Sequence, residues 1–209
     1  MYLTILVTGF GPFPGAAFNP TGPLAQRVTR LRRPALADVK IVTHVFRTSY
    51  AAVDRELPAL IAKHKPDALL MFGLAPRARE LRVETRARNA LALLPDAGGA
   101  SLGRRSIAVD GPASMKMRTP AHPLLAALRG LRLRAILSRD AGRYLCNYLC
   151  WRATETASTG TGPRFATFIH VPPVRRGTTR KREEVLASLN DLTVAGGRAL
   201  VALVAAARR

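Results

Sequence analysis

Short apolar runs recur along the chain and are separated by longer amphipathic stretches, so the hydrophobic period switches repeatedly between that of a strand and that of a helix. Strand patterns cover Leu3–Thr8, Lys40–Phe46, Ala68–Phe72, Leu81–Arg88, Ala135–Ser138 and Ala166–His170. Helical patterns occupy Pro20–Arg33, Tyr50–His64, Pro123–Leu131, Ala141–Ser158 and a C-terminal stretch within Arg182–Ala207, with a break expected near Gly196 and Gly197. This order predicts an α/β three-layer sandwich, a largely parallel central sheet with helices on both faces. Ligands of such sheets bind beyond the carboxyl ends of the strands, where the turns carrying Phe10 and Leu74 and the start of the helix with Cys146 are expected to converge. The stretch Asn89–Gly111 has no clear period and is expected to form a hairpin or a mobile flap. No internal repeat or low-complexity segment is evident.

Composition sets the outer bounds. With 209 residues, 48% of them hydrophobic, the chain is long enough for one substantial core, and residues 1–209 are expected to form a single domain. The start, Met1 to Val7, lacks a basic leader region, and the apolar run Ala199–Ala207 is too short to span a bilayer, so a cytoplasmic protein is expected. Cys146 and Cys150 lie four apart on one predicted helix, which indicates neither a disulfide nor a zinc site, and no cofactor or metal is expected.

The net charge of +20, from 33 Lys and Arg against 13 Asp and Glu, is of the kind that accompanies nucleic-acid binding. Here the cations are spread through strands, loops and helices, so specific nucleic-acid binding is not expected. Two concentrations stand out, Arg27, Arg30, Arg32 and Arg33 along the first helix, and Arg175, Arg176, Arg180, Lys181 and Arg182 near the C-terminal third. They read as solvated faces, sites for acidic partners or part of an oligomer surface. His64 reads as a solvated helix end and His122 as a turn residue before Pro123.

The chemistry concentrates in two blocks. Ala141 to Tyr148 contains Cys146, and Phe168 to Pro172 contains His170, a thiol and a base for nucleophilic catalysis. Asp140 is expected to cap the helix that carries Cys146, whose N-terminal dipole and free N–H groups favour a thiolate and an oxyanion. Glu84 supplies a carboxylate able to orient His170 and to stabilise its imidazolium. Taken alone, these residues leave open that Cys146 is a small core hydrophobe and Glu84 a solvated glutamate on an arginine-rich strand. The loop Thr8 to Gly15 follows a strand and precedes a helix, yet it lacks phosphate-loop spacing and two prolines remove N–H donors, which argues against a nucleotide site.

Leu6-Val7-Thr8-Gly9-Phe10, Pro12-Phe13, Asn19-Pro20-Thr21, Gly73-Leu74-Ala75, Val83-Glu84 with Asn89, and Pro95-Asp96 join these blocks in a set that resembles the pyroglutamyl peptidase I family, also called pyrrolidone-carboxylate peptidases, in order and spacing over most of the chain. The resemblance implies a cysteine omega-exopeptidase that removes an N-terminal pyroglutamyl residue through a thioester. It implies Cys146 as nucleophile, His170 as general base and acid, and Glu84 as the group orienting His170. The substrate is then a small peptide with a blocked N-terminus. A slot for this uncharged lactam needs apolar walls and a few main-chain partners. Phe10 and Phe13 suit the walls, although core packing explains them equally well. The resemblance assigns them that role, adds Tyr144 as a wall and the Leu74 main chain as the lactam's partner, counts Asn19 among the substrate-binding residues, and implies a homo-oligomer, dimer or tetramer.

Several positions depart from the family pattern. Gly11 and Pro14 replace an acidic residue and a glycine in the opening loop, and Pro76 and Arg77 stand where glycines are usual. Arg139 replaces a small or polar residue, and Ala90–Asp96 lacks an arginine found near the family's active site. His44 is expected on the pocket wall. These departures raise two alternatives, a weak or inactive relative that binds an acidic partner and a peptidase for a different blocked N-terminus.

Overall fold

The computed structural model describes residues 2–158, 160, 162–175 and 187–209. Six strands form the main sheet: β1 (Leu3–Phe10), β2 (Val39–Phe46), β3 (Ala68–Leu74), β4 (Leu81–Glu84), β7 (Ala135–Ser138) and β8 (Phe165–Val171), in the order β2-β1-β3-β8-β4-β7. Neighbours are parallel except β4 and β8, so β4 and β7 run against the other four. The largely parallel sheet expected from the sequence is present, with a reversed pair at one side.

Side chains alternate between faces along each strand, and this periodicity builds two cores. Ile5, Val7, Leu70, Phe72, Ile169 and Val171 point toward α1 (Thr21–Thr29), α3 (Ala121–Leu128) and the C-terminal helix α5 (Leu189–Ala207). Leu6, Leu69, Met71, Ala166 and Phe168 point toward α2 (Tyr50–His64) and α4 (Leu145–Ser158). Each large side chain taken fully out of water contributes about 1.5–3 kcal/mol, so this layering carries most of the stabilisation.

The helix boundaries correct several expectations. The first helix ends at Thr29, so of its basic concentration only Arg27 is helical and Arg30, Arg32 and Arg33 lie on the connection beyond, which includes a short 3-10 turn at Pro34–Leu36. His122 lies in the first turn of α3 and not in a preceding turn. Helix α5 is continuous across Gly196 and Gly197. A Cβ at Gly196 would come within 2.6 Å of Val28 Cγ2 and one at Gly197 within 2.5 Å of Leu31 Cδ1, so the pair forms a notch into which other side chains pack, not a break. Ser188 starts α5 by accepting from Asp191 N at 3.0 Å, while Asp191 Oδ2 accepts from Ser188 N at 2.8 Å. The helix has 19 residues and a mean hydropathy of 1.3, long and apolar enough to cross a membrane, but much of it is buried in the core beside α1 and α3. Of the second basic concentration only Arg175 falls among the described residues; Arg176, Arg180, Lys181 and Arg182 lie outside them.

The segment expected as one strand, Leu81–Arg88, divides at Thr85. β4 stays in the main sheet, whereas β5 (Arg86–Arg88) pairs antiparallel with β6 (Ser114–Lys116) in a separate small sheet. Thr85 bonds back to Ser138 O through its N–H at 2.8 Å and its hydroxyl at 2.7 Å, and the chain then turns out of the sheet plane. Asn147 of α4 takes over, accepting from Arg88 N at 2.9 Å and donating to Arg88 O at 2.8 Å. The irregular stretch after β5 is therefore the long connection of a hairpin. It is pinned by Asn89, which accepts from Ile107 N and Ala108 N, and by Asp96, which accepts from Gly98, Ala100 and Tyr50 N–H groups.

Candidate active site

Strand periodicity decides which polar groups meet. In β8, Phe168 and His170 share the α4 face, and in β4 Leu81 and Val83 face the opposite core, which turns Arg82 and Glu84 toward α4. Arg82 is paired with His170 across the antiparallel strands, so Glu84 lies diagonally across from His170 on the same face. His170 Nδ1 and Glu84 Oε1 are 2.8 Å apart, with Glu84 wholly buried and His170 6% exposed. Glu84 Oε2 is buried without a protein partner among the described residues, leaving the imidazole as the carboxylate's hydrogen-bond partner.

Cys146 approaches from above. Asp140 Oδ1 accepts from Gly142 N at 3.0 Å, and Gly142 turns with φ of +83°, a left-handed conformation that stops helix growth there. Asp140 consequently closes a turn and does not cap the helix, and α4 starts at Leu145, later than the expected Ala141. Cys146 is therefore its second residue, within the turn whose N–H groups have no partner inside the helix.

Gly73 on β3 is in register with His170, on the face below Cys146. A Cβ there would lie 2.8 Å from Cys146 Sγ and 2.4 Å from Phe168 Cζ. The space a side chain would need is taken by the Phe168 ring and the thiol together. Gly73→Ala is expected to lower kcat by about 100-fold by displacing the thiol, and to destabilise the fold by about 1–3 kcal/mol. Steady-state kinetics and thermal denaturation check this, and near-normal kcat would contradict it.

Burial, the largest influence on His170, draws its pKa down, but the neighbouring Cys146, through its negative charge and a hydrogen bond, and the Glu84 carboxylate outweigh it and raise the value to about 9. Cys150, one turn beyond Cys146 and fully buried, has its thiol pushed well up by burial first and by the nearby Glu84 and Cys146 next. The two cysteines thus differ sharply in environment.

These groups open into a cavity of about 450 Å³ whose lining includes Phe10, Phe13, Asn19, Leu74, Tyr144, Cys146 and His170. The catalytic and substrate-binding residues expected from the sequence, apart from the buried Glu84 behind His170, all border it. Phe10 is 2% exposed and packs on Phe46 as well, so it serves core and cavity together. Phe13 faces Tyr144 with ring centroids 6.3 Å apart, and the Tyr144 hydroxyl donates to Pro95 O at 2.9 Å. Both ends of the Asn19 amide are engaged in the loop, donating to Gly11 O at 3.0 Å and accepting from Thr21 N at 3.1 Å. Thr48, not singled out in the sequence, also borders the cavity and donates to Gly11 O at 2.9 Å. Among the described residues no group of three or more His, Cys, Asp or Glu side chains is arranged to hold a metal ion.

His44 corrects an expectation. It lies on edge strand β2, 2.9 Å from Glu56 Oε2 of α2 and edge-on to Phe46, and it does not line the cavity. An alternating strand sends it toward α2, so it gives no ground for altered specificity. Pro76 and Arg77 do line the cavity, and Arg139 does not.

A family model described as pyroglutamyl peptidase matches residues 3–209. The chain is 29% identical to the pyrrolidone-carboxylate peptidase of Pyrococcus furiosus over 171 residues, 81% of each chain. It is 32% identical to that of Clavibacter michiganensis over 170 residues, covering 81% of this chain and 78% of the other. The crystal structure of Bacillus amyloliquefaciens pyroglutamyl peptidase I superposes with a TM-score of 0.83 at 28% identity, covering 97% of both chains. With the family match running from the first strand to the last residue, the chain belongs to the pyroglutamyl peptidase family of cysteine peptidases.

Proposed function

We propose that this protein releases the N-terminal pyroglutamyl residue of peptides by thiol catalysis. The observation that carries the reading is the chain of contacts from Glu84 to His170, 2.8 Å long, ending beside Cys146 at the floor of an apolar cavity. His170 holds a proton taken from Cys146, and Glu84 fixes the ring so that Nδ1–H points to the carboxylate while Nε2 serves the thiol. The Cys146 thiolate attacks the pyroglutamyl carbonyl, and the free N–H groups at the start of α4 donate to the developing oxyanion. Protonated His170 then gives its proton to the leaving amine, and a pyroglutamyl thioester remains on Cys146. Water, deprotonated by His170, hydrolyses the thioester and restores the thiolate.

Specificity follows from desolvation. Phe10, Phe13 and Tyr144 offer apolar surface to the lactam ring, with the Leu74 main chain at the end of β3 as partner for its polar atoms. A charged amino terminus entering the same slot would lose its water without a counter-charge among these walls. Turnover of a fluorogenic L-pyroglutamyl amide is therefore expected to exceed that of the matching L-prolyl amide, which carries a free amine, by about 100-fold or more in kcat/KM. A folded, reduced protein that turns over neither would overturn the reading. A nucleophilic thiol works in reducing surroundings, and a cytoplasmic location forms part of the same proposal.

A further inference from the structure

The cavity mouth carries positive charge that has no acidic partner among the described residues. Four ionised side chains border the cavity besides the His170 and Cys146 pair: Arg77, Arg82, Asp140 and Arg143. Two of them are already matched. Arg82 bonds Glu80 at 2.7 Å, and Asp140 accepts from Arg88 at 3.0 Å. Arg77 and Arg143 are exposed and, among the described residues, have no acidic partner within ion-pair distance. They sit on the two loops that flank Cys146. Arg77 is on the connection from β3 to β4, three residues beyond Leu74, and Arg143 is on the turn immediately before Tyr144.

The apolar walls have no use for charge, since the lactam they suit is neutral. The part of a substrate that remains outside the slot is the leaving peptide, which runs over the exposed rim. We propose that Arg77 and Arg143 form a carboxylate-selective subsite for the leaving group, favouring substrates with an acid immediately after the scissile bond. This rests on the pyroglutamyl peptidase reading above. The acid has two sources, an Asp or Glu side chain in the position following pyroglutamate, or the free terminal carboxylate of a pyroglutamyl dipeptide. Guanidinium forks suit either, because both present two oxygens in a plane. A cation in that position meets two like charges.

The test compares kcat/KM for amidated pyroglutamyl tripeptides with Glu, Gln or Lys in the second position, and for pyroglutamyl-alanine with a free or an amidated terminus. The neutral fluorogenic pyroglutamyl amide is measured in parallel. For wild type at low ionic strength, Glu is expected to exceed Gln by about 5-fold, carried by KM, with Lys below Gln. The preference should shrink toward unity near 1 M salt, where screening acts within about 3 Å. It should vanish in the Arg77→Gln, Arg143→Gln double variant, whose exposed substitutions leave the interior untouched. If only the free dipeptide carboxylate is preferred, and the double variant loses that preference, the subsite recognises chain termini. Equal rates for Glu and Gln and for free and amidated dipeptides, with the neutral amide still turned over, overturn the subsite while the peptidase reading stands. A preference surviving in the double variant also overturns it. Failure to turn over the neutral amide strikes the peptidase reading instead. In that case calorimetric binding of the Glu and Gln peptides to the protein decides the subsite separately.

Discussion

Replacing Cys146 with Ala is expected to reduce turnover of an L-pyroglutamyl amide by on the order of 10⁴- to 10⁶-fold, with binding and fold retained. Cys146 is partly exposed at the cavity floor in the first turn of α4, so removing its sulfur enlarges a space already open to solvent and places a good helix former in the helix. The loss should fall on kcat, because the slot walls that hold the lactam are unchanged. Cys150→Ala is the matched control. Its side chain is fully buried, its thiol is held protonated by burial, and its removal should cost about 1 kcal/mol of stability while leaving kcat within about twofold. Iodoacetamide should likewise label Cys146 and spare Cys150, and substrate should slow the labelling. Residual activity above about a few percent in purified Cys146→Ala, or rapid labelling of Cys150, would remove Cys146 from the nucleophile's role.

Much of this arrangement is legible in the sequence because it is local and periodic. The alternation Leu81, Val83 against Arg82, Glu84 and the alternation around His170 assign faces before any pairing is known. The strand cores and the thiol's position near a helix start follow in the same way. What escapes is set by partners distant in sequence. The break at Thr85 depends on Ser138, the turn from β5 onward depends on Asn147, and neither has a signal within its own window. The reversed direction of β4 and β7 is also a pairing choice that strand periodicity does not encode. Asp140 looks like a helix cap because an aspartate immediately before the helical pattern that begins at Ala141 fits that role, but Gly142 in a left-handed turn shifts the start of α4 to Leu145. Gly73 reads as an ordinary strand glycine until Cys146 Sγ and Phe168 are found where its side chain would be. The place of His44 escapes for the same reason, since its partner Glu56 lies on the next helix.

Glu84→Gln is expected to lower kcat by on the order of 10²- to 10⁴-fold and to move the alkaline limit of activity to lower pH. The working pair is a thiolate beside an imidazolium, so activity is lost on the alkaline side as His170 gives up its proton, at about 9 in the intact protein. Burial pulls in the opposite direction and is the largest single influence, so the raised value depends on the negative neighbours, Cys146 first and Glu84 after it. Removing the Glu84 charge leaves burial less opposed, and the imidazolium then deprotonates at lower pH. The amide also presents an NH₂ group where Oε2 is buried, and one of its ends is left to meet a pocket without partners. Stability follows the same sign. A histidine raised from 6.5 to about 9 holds its proton more tightly when folded, so this contribution is complete below about pH 6.5 and fades as pH rises through about 9. Wild type should therefore lose thermal stability across that window, and Glu84→Gln should lose less of it from a lower starting point. Glu84→Asp keeps the charge but draws it back from a contact of 2.8 Å, so its alkaline limit should fall between the other two. An alkaline limb that stays put in Glu84→Gln, with kcat lowered, would mean that the carboxylate positions the ring without sustaining its charge.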